Sequence, residues 1–133
     1  KMELPDNGNV LLTIEDKDKD AVLPLAKRFS KIGYRMFATE GTSQFLRENG
    51  LFVQTVDKLG KDTGNETSLH DLIVNDGVDL VINTMSHDQE VASDGFVIRQ
   101  LAIEHNIALL TSLNTADALL KALENRSFAT NSL

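Results

Sequence analysis

The chain has 133 residues, 41% of them hydrophobic, with 20 acidic against 13 basic side chains and a net charge of −7. That is one domain's worth of chain, and its core must be aliphatic because only 5% of residues are aromatic. The acidic balance argues against nucleic acid or an anionic membrane surface as partner, and the lack of cysteine excludes disulfides and thiolate metal sites.

The same lack suits a reducing, cytoplasmic interior. No apolar run approaches the roughly 18 residues of a membrane span, and no signal-peptide pattern opens the chain. Lys1 stands ahead of Met2, so a fragment of a longer protein is expected. A small phosphorylated ligand remains compatible with the charge. Surface acids are largely screened beyond about 8–10 Å at physiological salt, so local lysines, hydroxyls and N–H groups decide.

Residues 1–9 read as a lead-in. Residues 10–14 form a continuous apolar run of strand length, as suits a strand buried on both faces. A charged loop covers 15–20. Helical periodicity then runs to Ile32, with Val22, Leu25, Ala26, Phe29 and Ile32 on one stripe and Gly33 as the stop. An interior proline loses a hydrogen bond and clashes one turn back. The regular helix is therefore expected to begin only just before Pro24, or with a distorted first turn.

Residues 36–38 are the second strand, which turns on Gly41 into a short helix over 42–49 with Gly50 as C-cap. Residues 52–56 are the third strand, and a polar loop with Lys58 and Lys61 covers 57–67. Ser68, with Asp71 three residues on, is expected to cap a helix over Leu69, Leu72 and Ile73. Residues 78–82 are the fourth strand, followed by Asn83, Thr84 and a second long polar loop, 85–92. Ser93 or Asp94 starts a helix that Asn106 closes, and 107–110 are the fifth strand. Asn114 is expected to cap a last helix through Leu123, with a loose tail from Ser127.

Strand and helix alternate five times, with no internal repeat, linker or second domain. The pattern predicts a three-layer α/β domain: a five-stranded parallel sheet with helices on both faces and right-handed crossovers. The Thr39–Thr42 turn and both long loops then share the C-terminal edge of the sheet, where open α/β sheets bind ligands.

Lys19, Thr39, Gly41, Thr42, Lys58, Asn83 and Thr84 all fall on that edge. Two cations, two or three hydroxyls and an amide suit a phosphate monoester, docked where helix N–H groups and dipole favour an anion. Taken singly, each has a plainer reading: a solvated lysine, a strand-end turn, or Thr42 as an ordinary N-cap beside a conformationally free Gly41. Convergence is what favours a site. His70, His87 and His105 make no metal pattern, so no metal is expected. Glu66 is a candidate base, although a loop acid ahead of a helix accounts for it better.

In order along the chain stand Lys19, Ala-Thr-Glu-Gly-Thr (38–42), Val-Asp-Lys (56–58) and Val-Ile-Asn-Thr (81–84). Asp-Gly-Phe-Val-Ile-Arg-Gln-Leu-Ala (94–102) and Leu-Thr-Ser-Leu-Asn-Thr-Ala (110–116) follow. Their order and spacing resemble the C-terminal allosteric domain of the carbamoyl-phosphate synthase large chain, which has the methylglyoxal-synthase-like fold. The resemblance spans nearly all of 10–125 and implies one regulatory domain over 1–133.

It implies an effector pocket for a nucleotide or sugar phosphate: UMP as inhibitor, with IMP, ornithine or phosphoribosyl pyrophosphate as activators in different relatives. Lys19, Thr39, Thr42, Lys58, Asn83 and Thr84 fall on nucleotide- or phosphate-contacting positions, and Thr111 on one linked to ornithine. Met85 replaces a threonine of some relatives. Leu109 replaces a tyrosine of ornithine-responsive ones. The pattern leans towards UMP inhibition with phosphoribosyl pyrophosphate activation, as in pyrimidine-dedicated relatives.

The resemblance also implies partners: the rest of the large chain, with ATP and magnesium in its ATP-grasp domains, and a glutaminase small chain. No cofactor is expected here, and apolar surface bared by missing neighbours could pair two copies. A methylglyoxal-synthase-like lyase acting on dihydroxyacetone phosphate is the rival reading. It would need a Gly-Gly-Asp segment and an aromatic-Asp-Pro turn, where this chain has Gly64-Asn65-Glu66 and Asn83-Thr84-Met85. A non-allosteric assembly module is a third.

Overall fold

The computed structural model describes residues 8–57, 67–68, 72–73, 77–85 and 94–131. Within them the strands are β1 (Asn9–Thr13), β2 (Arg35–Ala38), β3 (Val53–Asp57), β4 (Thr67–Ser68), β5 (Leu80–Asn83) and β6 (Ala108–Leu110). The helices are α1 (Lys19–Lys31), α2 (Glu40–Glu48), α3 (Asp94–Glu104) and α4 (Leu113–Asn131). All pairings are parallel, in the order β4-β3-β2-β1-β5-β6.

The five expected strands are all present. The sixth is an addition: Thr67 and Ser68, read as loop and helix cap, pair instead with Val56 and Asp57. They satisfy backbone groups on the outer edge of β3 that would otherwise lack a strand partner. Leu72 and Ile73 have helical backbone, as expected. The capping acid Asp71 lies outside the described residues.

Each strand sends alternate residues to opposite faces. Val10 and Leu12, Met36 and Ala38, and Leu80 and Ile82 join a core closed by α1, α2 and α4. Leu11, Phe37 and Val81 face the other way, into a smaller core with Ile73 and the Ile98 and Ala102 of α3. Both faces of β1 are therefore covered, which is why its sequence is apolar throughout.

Three helices end alike. After α1, Tyr34 N–H donates to the Phe29 carbonyl at 3.0 Å; after α2, Leu51 N–H to Leu46 at 3.1 Å; after α3, Ile107 N–H to Ala102 at 2.8 Å. The residue just before each donor is left-handed: Gly33 at φ 94°, Gly50 at 87° and Asn106 at 59°. These were the expected stops, and the bond from two residues beyond the cap back into the last turn explains why they work.

Helix starts differ from expectation. Helix α1 begins at Lys19, fed by a single 3-10 turn over Asp16–Asp18, and carries Pro24 inside it. The carbonyl deprived of a donor belongs to Asp20, which is exposed to water. Helix α2 begins at Glu40, so Gly41 lies within its first turn and has no left-handed φ. Helix α4 begins at Leu113. Ser112, not Asn114, caps it by accepting from the Thr115 N–H at 3.2 Å, and the helix continues to Asn131 where a loose tail was expected.

Candidate functional site

The chain winds outward from β1 in both directions, through β2, β3 and β4 on one side and β5 and β6 on the other. The crevice at the C-terminal end of β1 is thus the switch point of the sheet. The candidate residues gather there in two groups, one on each side of the β1 exit.

On the β2 side, Thr39 is extended at φ −69° and ψ 165° and precedes α2 without making a side-chain cap. Its carbonyl accepts the Ser43 N–H at 2.8 Å, which closes the first turn. Early amides of a helix have no partner within it, so this uncapped end favours an anion. The Lys19 ammonium lies 3.3 Å from where a Cβ on residue 41 would stand. Glycine at 41 is therefore a matter of space for Lys19 rather than of turn geometry, a correction to its expected role. Lys19 is itself mostly covered and pairs with the exposed Asp16 at 2.5 Å. That hydrogen bond and charge hold the Asp16 carboxyl below its ordinary value.

Thr42 is buried, and its hydroxyl is engaged on β1: Oγ1 accepts the Ile14 N–H at 3.1 Å and lies 3.3 Å from the Ile14 carbonyl, to which it donates. Ser43 Oγ meets Thr55 Oγ1 at 2.6 Å and ties α2 to β3 as well.

On the β5 side, the Thr84 N–H donates to the Thr13 carbonyl at 3.0 Å, and Thr84 Oγ1 accepts the Glu15 N–H at 3.0 Å. Asn83 is fully buried and donates from Nδ2 to Thr13 Oγ1 at 2.6 Å. Arg99 of α3 donates from Nε to Asn83 Oδ1 at 2.5 Å and from Nη2 to the Asn83 carbonyl at 3.1 Å. The exit of β1 is thus clamped from both sides, by Thr42 at Ile14 and by Thr84 at Thr13 and Glu15. The clamp fixes the 3-10 turn that delivers Lys19 to α2.

Thr84 also lines a polar concavity of 270 Å³ with Glu15, Asp18, Met85, exposed Thr111 and Asn114. The structure therefore brings Lys19 together with the Gly41 turn, and Thr84 together with Thr111. Lys58, Glu66, His70 and His87 lie outside the described residues. His105 is exposed just beyond the end of α3. Among the described residues no three metal-ligating side chains cluster. A larger, mainly apolar concavity of 490 Å³ around Arg47 and Phe52 opens at the start of β3, the opposite end of the sheet.

Sequence reasoning missed Thr13, Asp16 and Arg99. Asp16 stands three residues before Lys19, a readable spacing. Arg99 had no local signal: it is one cation in a mostly apolar helix, 16 residues from its partner.

No described helix is long and apolar enough to cross a membrane. A methylglyoxal synthase from Elizabethkingia anophelis NUHP1 superposes with a TM-score of 0.63 at 22% identity, over 88% of this chain and 79% of that one. The crystal structure of ForH superposes with a TM-score of 0.66 at 22% identity, over 91% and 80%. At such identity the likeness concerns the fold. The family model for the MGS-like domain matches residues 21–111, from the first turns of α1 to the end of β6, so the chain belongs to the MGS-like domain family.

Proposed function

We propose that this domain binds a phosphorylated nucleotide or sugar-phosphate effector at the β1–β2 corner. In this reading it is the regulatory domain of a glutamine-dependent carbamoyl-phosphate synthase large chain. The observation that carries the phosphate site is the Lys19 ammonium held over Gly41, at the uncapped first turn of α2. A phosphate there would replace Asp16 as the counter-ion of Lys19, with the early amides of α2 as further donors. Thr42, Asn83 and Thr84 serve this site chiefly by holding the β1 exit.

The carbamoyl-phosphate synthase assignment rests on the motif order described above, and on the residues at the end of β5 and just beyond it. Asn83, Thr84 and Met85 put an amide, a hydroxyl and a thioether where the lyase would need an acid. Catalysis from bicarbonate, ATP and ammonia would belong to other domains, and this one would act by binding two states of the enzyme unequally.

Thermal melts with UMP, phosphoribosyl pyrophosphate, IMP, ornithine, dihydroxyacetone phosphate and uridine test the reading. Ligand at 100 times its dissociation constant stabilises by about 2.7 kcal/mol, or several degrees. A shift with UMP or phosphoribosyl pyrophosphate and none with uridine is expected. Methylglyoxal released from dihydroxyacetone phosphate would favour the lyase. No shift with any phosphate ligand would end the phosphate-site reading for this domain.

A further inference from the structure

The clamp on the β5 side has a direction. Arginine can only donate, so the atom of Asn83 that Arg99 Nε meets at 2.5 Å must be the carbonyl oxygen Oδ1. The second guanidinium nitrogen on the Asn83 main-chain oxygen leaves the fork little freedom to turn. With Oδ1 facing α3, Nδ2 faces β1 and donates to Thr13 Oγ1 at 2.6 Å. Thr13 Oγ1 is an acceptor in that bond, so its own proton is directed elsewhere. Thr13 stands at the end of the central strand, next to Ile14, which Thr42 holds.

We propose that Arg99 is a positioning residue that sets the hydrogen-bond polarity of this floor. By fixing the Asn83 amide, it leaves the proton of the Thr13 hydroxyl, at the β1 exit, as a donor suited to an acceptor oxygen of a phosphate or sugar-phosphate ligand. A flipped amide would offer Oδ1 to Thr13, draw the hydroxyl proton onto itself and place its NH2 against a guanidinium that cannot accept. The inference rests on the phosphate-site reading above. It adds that α3, on the far face of the sheet, controls which ligand atoms the corner accepts.

The test is UMP binding by calorimetry to the whole domain, in the native protein and in Arg99→Met, Arg99→Lys, Asn83→Ser and the Arg99→Met/Asn83→Ser pair. Arg99→Met keeps the aliphatic stem and loses every donor. It is expected to weaken UMP about tenfold, and Arg99→Lys less, since an ammonium supplies donors without the fork. In the Asn83→Ser background the Arg99 change is expected to do nothing further, because its effect passes through the amide. Side-chain amide signals of Asn83 by NMR give a second readout that needs no buried substitution: they should shift and exchange faster with water in Arg99→Met. Native affinity in Arg99→Met, an equal loss in both backgrounds, or unchanged Asn83 amide signals would overturn the proposal. If the native protein binds neither UMP nor inorganic phosphate, the parent reading falls first, before any variant is compared.

Discussion

Gly41 shows how a single residue can serve two ends at once. As glycine in a helix it costs about 0.5–1 kcal/mol relative to alanine. The atom facing its missing Cβ at 3.3 Å is the tip of a flexible lysine, not backbone. Gly41→Ala should therefore fold and melt higher, by roughly that helix term, while the methyl pushes Lys19 off the first turn. UMP affinity should drop about three- to tenfold in the same variant. Calorimetry and melting of one protein sample check both signs, and a variant that gains stability without losing affinity would separate Lys19 from the ligand. Thr42 shows the converse. It reads as an anion-facing hydroxyl or a cap, yet it serves Ile14, 28 residues back, and no local pattern announces a partner at that separation. The candidate site was legible as a place but not as a set of roles, because the roles are decided by contacts between strand ends.

Among the elements, α1 and α4 are joined by Arg28, whose Nε and Nη2 donate to Glu124 at 2.9 and 2.8 Å and whose Nη1 donates to Asp117 at 2.7 Å. Those bonds hold both carboxyls below their ordinary values, and the Arg28 guanidinium above its own. A carboxyl with a lowered folded value binds fewer protons folded than unfolded near its titration. Its stabilisation is present above the unfolded value, 3.8 for Asp117 and 4.5 for Glu124, and is lost as pH falls through the folded one. Arg28→Met should thus be less stable than the native domain near neutral pH. The gap should close as acidification protonates Asp117 and Glu124, as followed by denaturant titration. These groups are partly exposed, so solvent screening keeps the effect modest. Helix ends were readable because Gly33, Gly50 and Asn106 meet a backbone demand that few residues meet. Helix starts were not. A 3-10 lead-in and an exposed carbonyl let α1 run through Pro24, and the expected cap Asn114 stands two residues past Ser112, whose hydroxyl does the capping of α4.

Across the whole molecule, the alternation of short apolar runs with amphipathic stretches was enough for the architecture, because two-sided burial leaves no other sequence for a central strand. It was not enough for β4, whose two residues carry too little pattern to separate from a loop. Protection should follow the same geometry. Amides of Val10, Leu11, Leu12, Val81 and Ile82 are in strands with fully buried side chains and should exchange slowest, near the rate of global unfolding. Those of β4 and β6, at the two margins of the sheet, should exchange fastest among the strands. Hydrogen exchange followed by NMR resolves the order, and early exchange in β1 would contradict a sheet built outward from it.

The spread of the β1 clamp along the chain also sets a timetable. Ile14 meets Thr42 after 28 residues of synthesis, but Thr13 meets Asn83 only after 70, and Arg99 comes 16 later. Parallel strands need a crossover before they can pair, so no hairpin can close the corner sooner. On a ribosome the lysine half of the crevice can assemble while the amide half is still unmade. A nascent chain would then hold an anion weakly before it can discriminate among them, and selectivity would arrive as one of the last acts of folding.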